Sequence, residues 1–280
     1  MKQKHEFKFT NKIQCDRIPK AEEIEMLIDI LKSKKAFKEY VKKYNPKDEK
    51  IKLKIEHIER VSKIAKNIAM QQNLSKEDVK LAELIGLLHD IGRFEQAKIY
   101  NTFVDKDSIN HGEYGVKILF EDGLIREFIE TDKYDDIIKL SIINHNKAKI
   151  QEGLTEKQNL HAKIIRDADK TDIFFVLTTG DKKAIWEKED LSNDIITDEI
   201  YREFIEDRSI DYKNRETSAD ILVSHFAYVY DFNFKESLKI IKENNYLEKL
   251  YKRFTFKEEK TIKRYNEIYR VAKKYLEEKG

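Results

Sequence analysis

Apolar residues recur every three or four positions along most of the chain, which is the spacing of one face of an α-helix. A long helix is predicted from about Asp48 to Gln72, with an apolar stripe formed by Ile58, Val61, Ile64, Ala65 and Ile68. Ser75 favours the start of another helix, because its side chain can accept a hydrogen bond from the first turn. That helix is apolar up to Leu88 and is expected to end in His89-Asp90-Ile91-Gly92, with Gly92 as its terminator.

The same spacing predicts helices in the rest of the chain. A first helix is expected to begin near Pro19 and to stop near Asn45-Pro46, since proline suits a first helical turn but not a helix interior. The segment between Gly92 and His111 is expected to be a loop. Further helices are predicted at His111–Phe120, Tyr134–His145 and Glu156–Leu177, and in three stretches after Ser218. No β-hairpin pattern is present, and the 2 prolines and 8 glycines favour long helices, so the sequence predicts an all-α fold.

The helical pattern divides the chain into three parts. Residues 46–180 are expected to form a central core, and residues 1–45 an N-terminal helical extension. Residues 181–280 are expected to form a connector and C-terminal helices packed on that core. Charged residues dominate Asp181–Asp211, which indicates a peripheral connector. Neither end of the chain is predicted to be an independent domain.

Composition and charge exclude several classes of protein. The net charge of +2 results from 55 basic and 53 acidic residues that are interleaved along the chain. Because no sustained positive stripe is present, nucleic acid is not expected as a partner. No apolar stretch is long enough to cross a bilayer, and the N-terminal residues lack the apolar region of a signal peptide. With Cys15 as the single cysteine, a reducing compartment follows, and the protein is predicted to be cytoplasmic; its oligomeric state is left open.

Six polar residues stand at places where predicted helices could bring them together. They are His57, His89, Asp90, His111, His145 and Asp169. Imidazole nitrogens and carboxylate oxygens suit iron, manganese, zinc or magnesium. Any one of these histidines taken alone is more often a hydrogen-bonded core residue, and an isolated His-Asp pair says little. The ordered series, with each member on a helix or at a helix end, favours a metal centre.

Four stretches carry a resemblance to a known family. They are His57-Ile-Glu-Arg, Leu87-Leu-His-Asp-Ile-Gly-Arg93, His111-Gly-Glu-Tyr-Gly-Val and Ala168-Asp-Lys170. In this order they resemble the HD-domain superfamily of metal-dependent phosphohydrolases, which implies an HD-domain helical bundle with additional N- and C-terminal helices. The further histidines His111 and His145 are similar to those of the members that bind two metals. Among these, the chain is similar to the hydrolases of dinucleoside polyphosphates, and it lacks the His-His-Glu and Gly-Tyr-Pro signature of the cyclic di-GMP phosphodiesterases.

The resemblance implies a centre of two divalent metal ions. The ligands of one ion would be His57, His89 and Asp169. Those of the second would be His111 and His145, with Asp90 bridging the two ions. Two such ions could generate a hydroxide near neutral pH and neutralise the attacking and leaving oxygens. The substrate implied is a small phosphorylated molecule of the nucleotide class, cleaved at a phosphoester or phosphoanhydride bond.

Three residues are predicted to serve catalysis: Asp90, Arg93 and Lys170. Asp90 would bridge the ions, whereas Arg93 and Lys170 are the cations nearest the signature and could bind phosphate. The alternative for Arg93 is a solvent-facing residue beyond a helix end. The alternative for Lys170 is an ion pair with a neighbouring carboxylate such as Asp90. Asp167 and Asp172, which flank the last aspartate of the series, could orient metal ligands through hydrogen bonds.

Two other functions are compatible with the same residues. A few HD-type proteins, such as inositol oxygenase, use this ligand series to hold two irons and activate dioxygen. A non-catalytic nucleotide-binding regulator is the third hypothesis, although a binding module has little reason to keep six costly polar groups. Hydrolysis is favoured because it is the commonest activity of the family, which is an argument from analogy.

Overall fold

The computed structural model describes residues 27–186 and 188–280, and these residues form helices with no strand among them. The predicted all-α fold is confirmed. Cys15 and the expected helix start at Pro19 lie outside the described residues.

The helices follow one another with short connections. Their bounds are α1 (Ile30–Val41), α2 (Glu49–Gln71), α3 (Lys76–Leu88), α4 (Gly92–Tyr100), α5 (His111–Val116), α6 (Ile125–Phe128), α7 (Asp135–His145), α8 (Glu156–Thr179), α9 (Lys182–Trp186), α10 (Asp198–Arg202), α11 (Ser218–Ala227), α12 (Lys235–Glu243), α13 (Tyr246–Tyr251) and α14 (Glu259–Lys279). Helices α5 and α10 each continue into a wider, π-helical turn, at Lys117–Glu121 and Glu203–Asp207. Within the described residues, no helix is both long and apolar enough to cross a membrane.

Side-chain caps fix the starts of the helices that carry the site. The Asp48 side chain accepts a hydrogen bond from the backbone of α2, and the Ser75 side chain accepts one from the backbone of α3. Thr155 and Gln158 form a capping box at the start of α8. Each cap satisfies backbone N–H groups that have no partner within the helix. The predicted starts of these three helices are confirmed to within a residue or two.

Gly92 does not terminate α3, contrary to the sequence prediction. Helix α3 ends at Leu88, and Gly92 is the first residue of α4, which occupies most of the segment that was expected to be a loop. A Cβ atom on Gly92 would lie 2.4 Å from the backbone oxygen of His111 and 2.8 Å from the backbone nitrogen of Gly115. A glycine is needed at this position because α5 approaches the start of α4 too closely for any side chain.

Two hydrophobic clusters meet at helix α8. In the first, α2 packs on α3 and α8, and α7 packs on α8; its buried residues include Ile58, Leu84, Ile142 and Ala168. The second begins with Phe174 of α8 and includes Leu222, Leu250 and Ile268 of the C-terminal helices. Helix α8 thus contributes its first half to one core and its second half to the other, and it carries Asp169 where the two meet.

The segment Asp181–Asp211 is not peripheral, and this prediction was wrong. It contributes fully or nearly fully buried side chains to the second cluster, namely Trp186, Leu191, Ile196, Ile200 and Phe204. These apolar residues were not recognised in the sequence because charged residues separate them and the segment has no long helix. Their spacing is therefore irregular. The division of the chain at residues 45 and 180 remains a prediction.

Candidate metal centre

The six side chains singled out in the sequence converge on one point of the first core. Helix α2 contributes His57, the turn after α3 contributes His89 and Asp90, and α8 contributes Asp169. His111 begins α5 and His145 ends α7. All of them except Asp169 are buried, and the Asp169 side chain is 17% exposed. Residues separated by more than a hundred positions in the chain are thus brought together by the packing of α2, α3, α7 and α8.

Asp90 lies at the middle of the cluster, and its two oxygens face different imidazoles. Its Oδ2 atom lies 3.5 Å from Nε2 of His57 and 3.6 Å from Nε2 of His89. Its Oδ1 atom lies 3.4 Å from Nε2 of His111 and 3.6 Å from Nε2 of His145. A carboxylate in this position is able to bridge two cations.

The remaining distances define the two sides of Asp90. On the Oδ2 side, Oδ1 of Asp169 lies 3.2 Å from Nε2 of His57 and 3.7 Å from Nε2 of His89. On the Oδ1 side, the Nε2 atoms of His111 and His145 are 2.9 Å apart. Two sets of three residues place one ligand atom each within 4.8 Å of one another: His57, His89 and Asp169, and His89, Asp90 and His145. His89 belongs to both sets, so the two sides of the cluster adjoin.

Two of the imidazoles are oriented by carboxylates behind them. Nδ1 of His57 lies 2.7 Å from Asp172, and Nδ1 of His111 lies 2.6 Å from Asp105. These contacts turn the Nε2 atom of each ring toward the centre and make that atom more basic. Carboxylates that contact ligand histidines in this way are typical of metal sites.

The other two imidazoles are oriented by backbone carbonyl groups. Nδ1 of His89 lies 2.8 Å from the carbonyl oxygen of Gly86, and Nδ1 of His145 lies 2.6 Å from that of Ile142. A carbonyl oxygen only accepts hydrogen bonds, so each Nδ1 atom carries the hydrogen. In the neutral ring, Nε2 is then left with a lone pair that faces the centre.

The cluster contains more hydrogen-bond acceptors than donors. Nε2 of His89 and Oδ1 of Asp90 are buried and have no hydrogen-bond partner among the described residues. Because Nδ1 of His111 and Nδ1 of His145 both donate, their facing Nε2 atoms present two lone pairs to each other. Buried acceptors without donors are costly, and a bound cation removes that cost. The donor set therefore fits divalent metal ions.

Four of the six cluster residues, namely Asp90, Asp169, His89 and His111, have the charge states that metal ligands need. Burial raises the pKa of Asp90 and of Asp169, but neighbouring cations and imidazoles outweigh it and hold both pKa values well below the usual range. Burial lowers the pKa of His89, and it lowers that of His111 to about 4, which keeps both imidazoles neutral. For His57, burial and Lys54 lower the pKa, but hydrogen bonds to carboxylates outweigh them and raise it to about 10. Deprotonated carboxylates and neutral imidazoles are the forms that bind metals, so His57 would have to release a proton to bind an ion.

Arg93 lies beside the cluster. The alternative prediction, that it faces solvent beyond a helix end, was wrong. Its side chain is only 15% exposed, and Nε lies 3.6 Å from Oδ1 of Asp90. One guanidinium nitrogen donates to Asp105, Gln96 and the backbone oxygen of Phe103. Arg93 therefore fixes the carboxylate that orients His111, and its contact with phosphate stays a prediction.

The alternative for Lys170 was an ion pair with a neighbouring carboxylate such as Asp90. Lys170 does pair with a carboxylate, but not with that of Asp90. Its ammonium donates to Asp231, a residue of the C-terminal half, at 2.9 Å. The lysine that pairs with Asp90 is Lys54, at 2.8 Å from Oδ2. Burial lowers the pKa of Lys170, although Asp231 raises it in part. A catalytic role for Lys170 stays a prediction.

Of the two aspartates expected to orient metal ligands, one does so and one does not. Asp172 accepts from His57 as described above. Asp167 instead accepts hydrogen bonds from the backbone nitrogens of Asn233 and Phe234 and from the Ser237 hydroxyl. It ties α8 to the start of α12 and has a structural role between the two halves of the chain.

The sequence reasoning missed two cations of α2. Lys54 and Arg60 stand three residues before and three residues after His57, which places all three on one face of the helix. Arg60 donates to Asp172 at 2.6 Å, and Lys54 donates to Asp90. The helical spacing from His57 was the signal that could have identified both. The open side of the cluster is bordered by Asp169, Lys54 and Arg93, whose side chains are 15–17% exposed.

The comparisons with known proteins agree with this geometry. The family model of the HD domain matches residues 55–173, a range that includes every member of the cluster. This part of the chain is an HD domain. The family consists mostly of metal-dependent hydrolases. No curated protein and no solved structure matches the chain.

Proposed function

We propose that the protein is a phosphohydrolase that depends on two divalent metal ions and cleaves a phosphoester or phosphoanhydride bond of a nucleotide. One ion would be held by His57, His89 and Asp169, and the other by His111 and His145. The observation that carries the proposal is the position of Asp90, whose Oδ1 and Oδ2 face different pairs of imidazoles.

The chain's own residues supply position and charge for this reaction. Asp172 and Asp105 hold His57 and His111 in place, so that little reorganisation is needed when the centre is loaded. When bound, two divalent ions lower the pKa of water and neutralise charge on phosphoryl oxygens. Arg93 and Asp169 lie at the open side, where a phosphate group would approach.

The charge balance favours a phosphorylated substrate. With His57 in its neutral, metal-binding form, four carboxylates face three cations: Asp90, Asp105, Asp169 and Asp172 against Lys54, Arg60 and Arg93. Two divalent ions would change this small negative balance into a positive one, which attracts an anion. Hydrolysis of phosphate esters needs mainly such positioning and electrostatic stabilisation. The nucleotide class is proposed from the resemblance of the motifs.

The test is an assay of the loaded protein with a panel of nucleotides in the absence of oxygen. We expect the protein purified with Mn²⁺, Fe²⁺, Zn²⁺ or Mg²⁺ to release phosphate or a shorter nucleotide from at least one of them. Chelator should abolish the activity, and the active ion should restore it. Because hydrolysis needs no oxygen, turnover under these conditions separates this function from a diiron oxygenase.

Two buried aspartates provide the test variant and its matched control. Asp90→Asn should abolish turnover, since the amide is a poor bridging ligand, whereas Asp167→Asn leaves all proposed ligands in place. Nucleotide binding without turnover would support a non-catalytic regulator instead. A purified protein that takes up no divalent ion would overturn the proposal.

A further inference from the structure

Lys54 makes the most direct contact of any described cation with a proposed metal ligand. Its Nζ atom donates to Oδ2 of Asp90 at 2.8 Å, and this is the oxygen that faces His57 and His89. The Lys54 side chain is 17% exposed, so its end lies at the open side of the centre. The ammonium also lies 5.1 Å from the centroid of the Phe103 ring.

The other two cations beside the centre donate their hydrogen bonds to residues that are not proposed ligands. Arg60 holds Asp172 and Arg93 holds Asp105, which in turn orient imidazoles. Lys54 instead neutralises the carboxylate that the ions would share. A divalent ion bound to Oδ2 of Asp90 would repel an ammonium group a few ångströms away. A bound ion would therefore take the hydrogen-bond partner of Lys54, whereas Arg60 and Arg93 would keep theirs.

A second cation lies close to Lys54, and the two could bind one anion together. Arg93 lies on the same wall, with its guanidinium carbon 5.7 Å from the centroid of the Phe103 ring. Its Nε atom is buried and has no hydrogen-bond partner among the described residues. The lysine side chain is a flexible stem with a compact charge, so its head can move while the stem stays against Phe103.

We propose that Lys54 is an exchangeable cation, which neutralises Asp90 in the metal-free protein and binds a phosphate group of the substrate once a divalent ion has taken Asp90. Lys54 and Arg93 would form the phosphate site together, next to Phe103. This inference rests on the proposed function, since it requires ions at the centre. It adds a phosphate-binding residue outside the recognised motifs.

The first test uses the unmodified protein and an amine-reactive reagent, with labelling quantified by peptide mass spectrometry. Lys54 should react slowly without metal, several times faster with Mn²⁺, and slowly again with Mn²⁺ and inorganic phosphate. Lys50 is the internal control, because it lies one turn earlier on α2 and donates to Asn101 rather than to a carboxylate. Its labelling should stay constant. If Mn²⁺ binds but leaves Lys54 labelling unchanged, or if phosphate gives no protection, the inference is wrong.

The second test compares Lys54→Met with Lys50→Met by titration calorimetry. Lys54→Met should bind Mn²⁺ several times more tightly, because the competing ammonium is gone. It should bind inorganic phosphate about tenfold more weakly when loaded, the usual cost of a lost charged hydrogen bond. Lys50→Met should match the wild type in both. Unchanged phosphate affinity in Lys54→Met, with metal binding and turnover of the wild type intact, would overturn this inference alone, whereas a wild type that binds no Mn²⁺ would overturn the proposed function as well.

Discussion

His57 and Asp172 form a pair in which the carboxylate fixes the imidazole from behind. Oδ2 of Asp172 lies 2.7 Å from Nδ1 of His57, and both oxygens of Asp172 also accept from Arg60. The pair joins α2 to α8 across the first core. Because Nδ1 is occupied, the only ring nitrogen of His57 that can face Asp90 and Asp169 is Nε2.

We expect Asp172→Asn to weaken metal binding without changing the ligand set. An amide is a weaker acceptor for Nδ1 and lacks the negative charge that makes His57 basic. Partners of this kind usually contribute about 10–100-fold to metal affinity. Titration of metal-free protein with Mn²⁺ measures the effect. Asp220→Asn is the control, since Asp220 is a buried carboxylate that caps α11 and contacts no imidazole of the centre; equal losses in both variants would contradict the positioning role.

We expect one bound ion on each side of Asp90. Elemental analysis after equilibrium dialysis should find two divalent ions per chain in the wild type. His145→Ala should retain about one, because it removes a ligand from the side that Oδ1 of Asp90 faces, while His57 and His89 keep the other. His161→Ala is the control, since His161 is buried but contacts Asp78 away from the cluster. One ion in both the wild type and His145→Ala would contradict the two-ion centre.

Gly92→Ala should destabilise the fold and weaken binding of the ion that His111 is proposed to hold. The added Cβ would overlap the backbone at the start of α5, where His111 lies. Overpacking against backbone atoms costs roughly 1–3 kcal/mol, which urea unfolding of metal-free protein would measure. Gly123→Ala is the matched control, because its Cβ would meet nothing within 4 Å and only its positive φ is strained. It should lower stability by about 1 kcal/mol and leave metal binding unchanged.

The sequence was sufficient for the helices and for the six members of the cluster. Helical spacing placed α2 and α8 within a few residues, and the order of His57, the His-Asp pair and Asp169 matched a known series. These features are local, or they belong to a motif whose members need no coordinates to be recognised. The helix α4 was missed because its short run of mixed residues gives no clear apolar stripe.

The contacts between distant segments could not be predicted in the same way. Lys170 pairs with Asp231, 61 positions away, and Asp167 bonds to the start of α12. Both partners depend on how the C-terminal helices pack on α8, and no local pattern encodes that packing. Lys54 is the exception, because its position three residues before His57 was visible in the sequence and was not used.

His225 should make the fold less stable as the pH falls. Burial, together with the charge of Arg215, lowers the pKa of His225 to about 3, and the ring is neutral when Nδ1 accepts from Nε1 of Trp186. In the unfolded chain the pKa of a histidine is about 6.5, so between these values the unfolded state binds more protons than the native state. Each pH unit lowered through this window should cost up to about 1.4 kcal/mol of unfolding free energy. The contribution is fully present above the unfolded pKa.

The comparison with His225→Asn isolates this group from other titrations. Asparagine can still accept a hydrogen bond from Trp186 but cannot take up a proton. Near pH 8 the variant should therefore have a lower unfolding free energy than the wild type. On acidification its unfolding free energy should fall less than that of the wild type. Urea unfolding between pH 8 and pH 4, with chelator present to keep bound ions out of the balance, gives both curves. The two curves should converge as the pH falls below about 6.5. Parallel curves over the whole range would show that His225 does not carry this pH dependence.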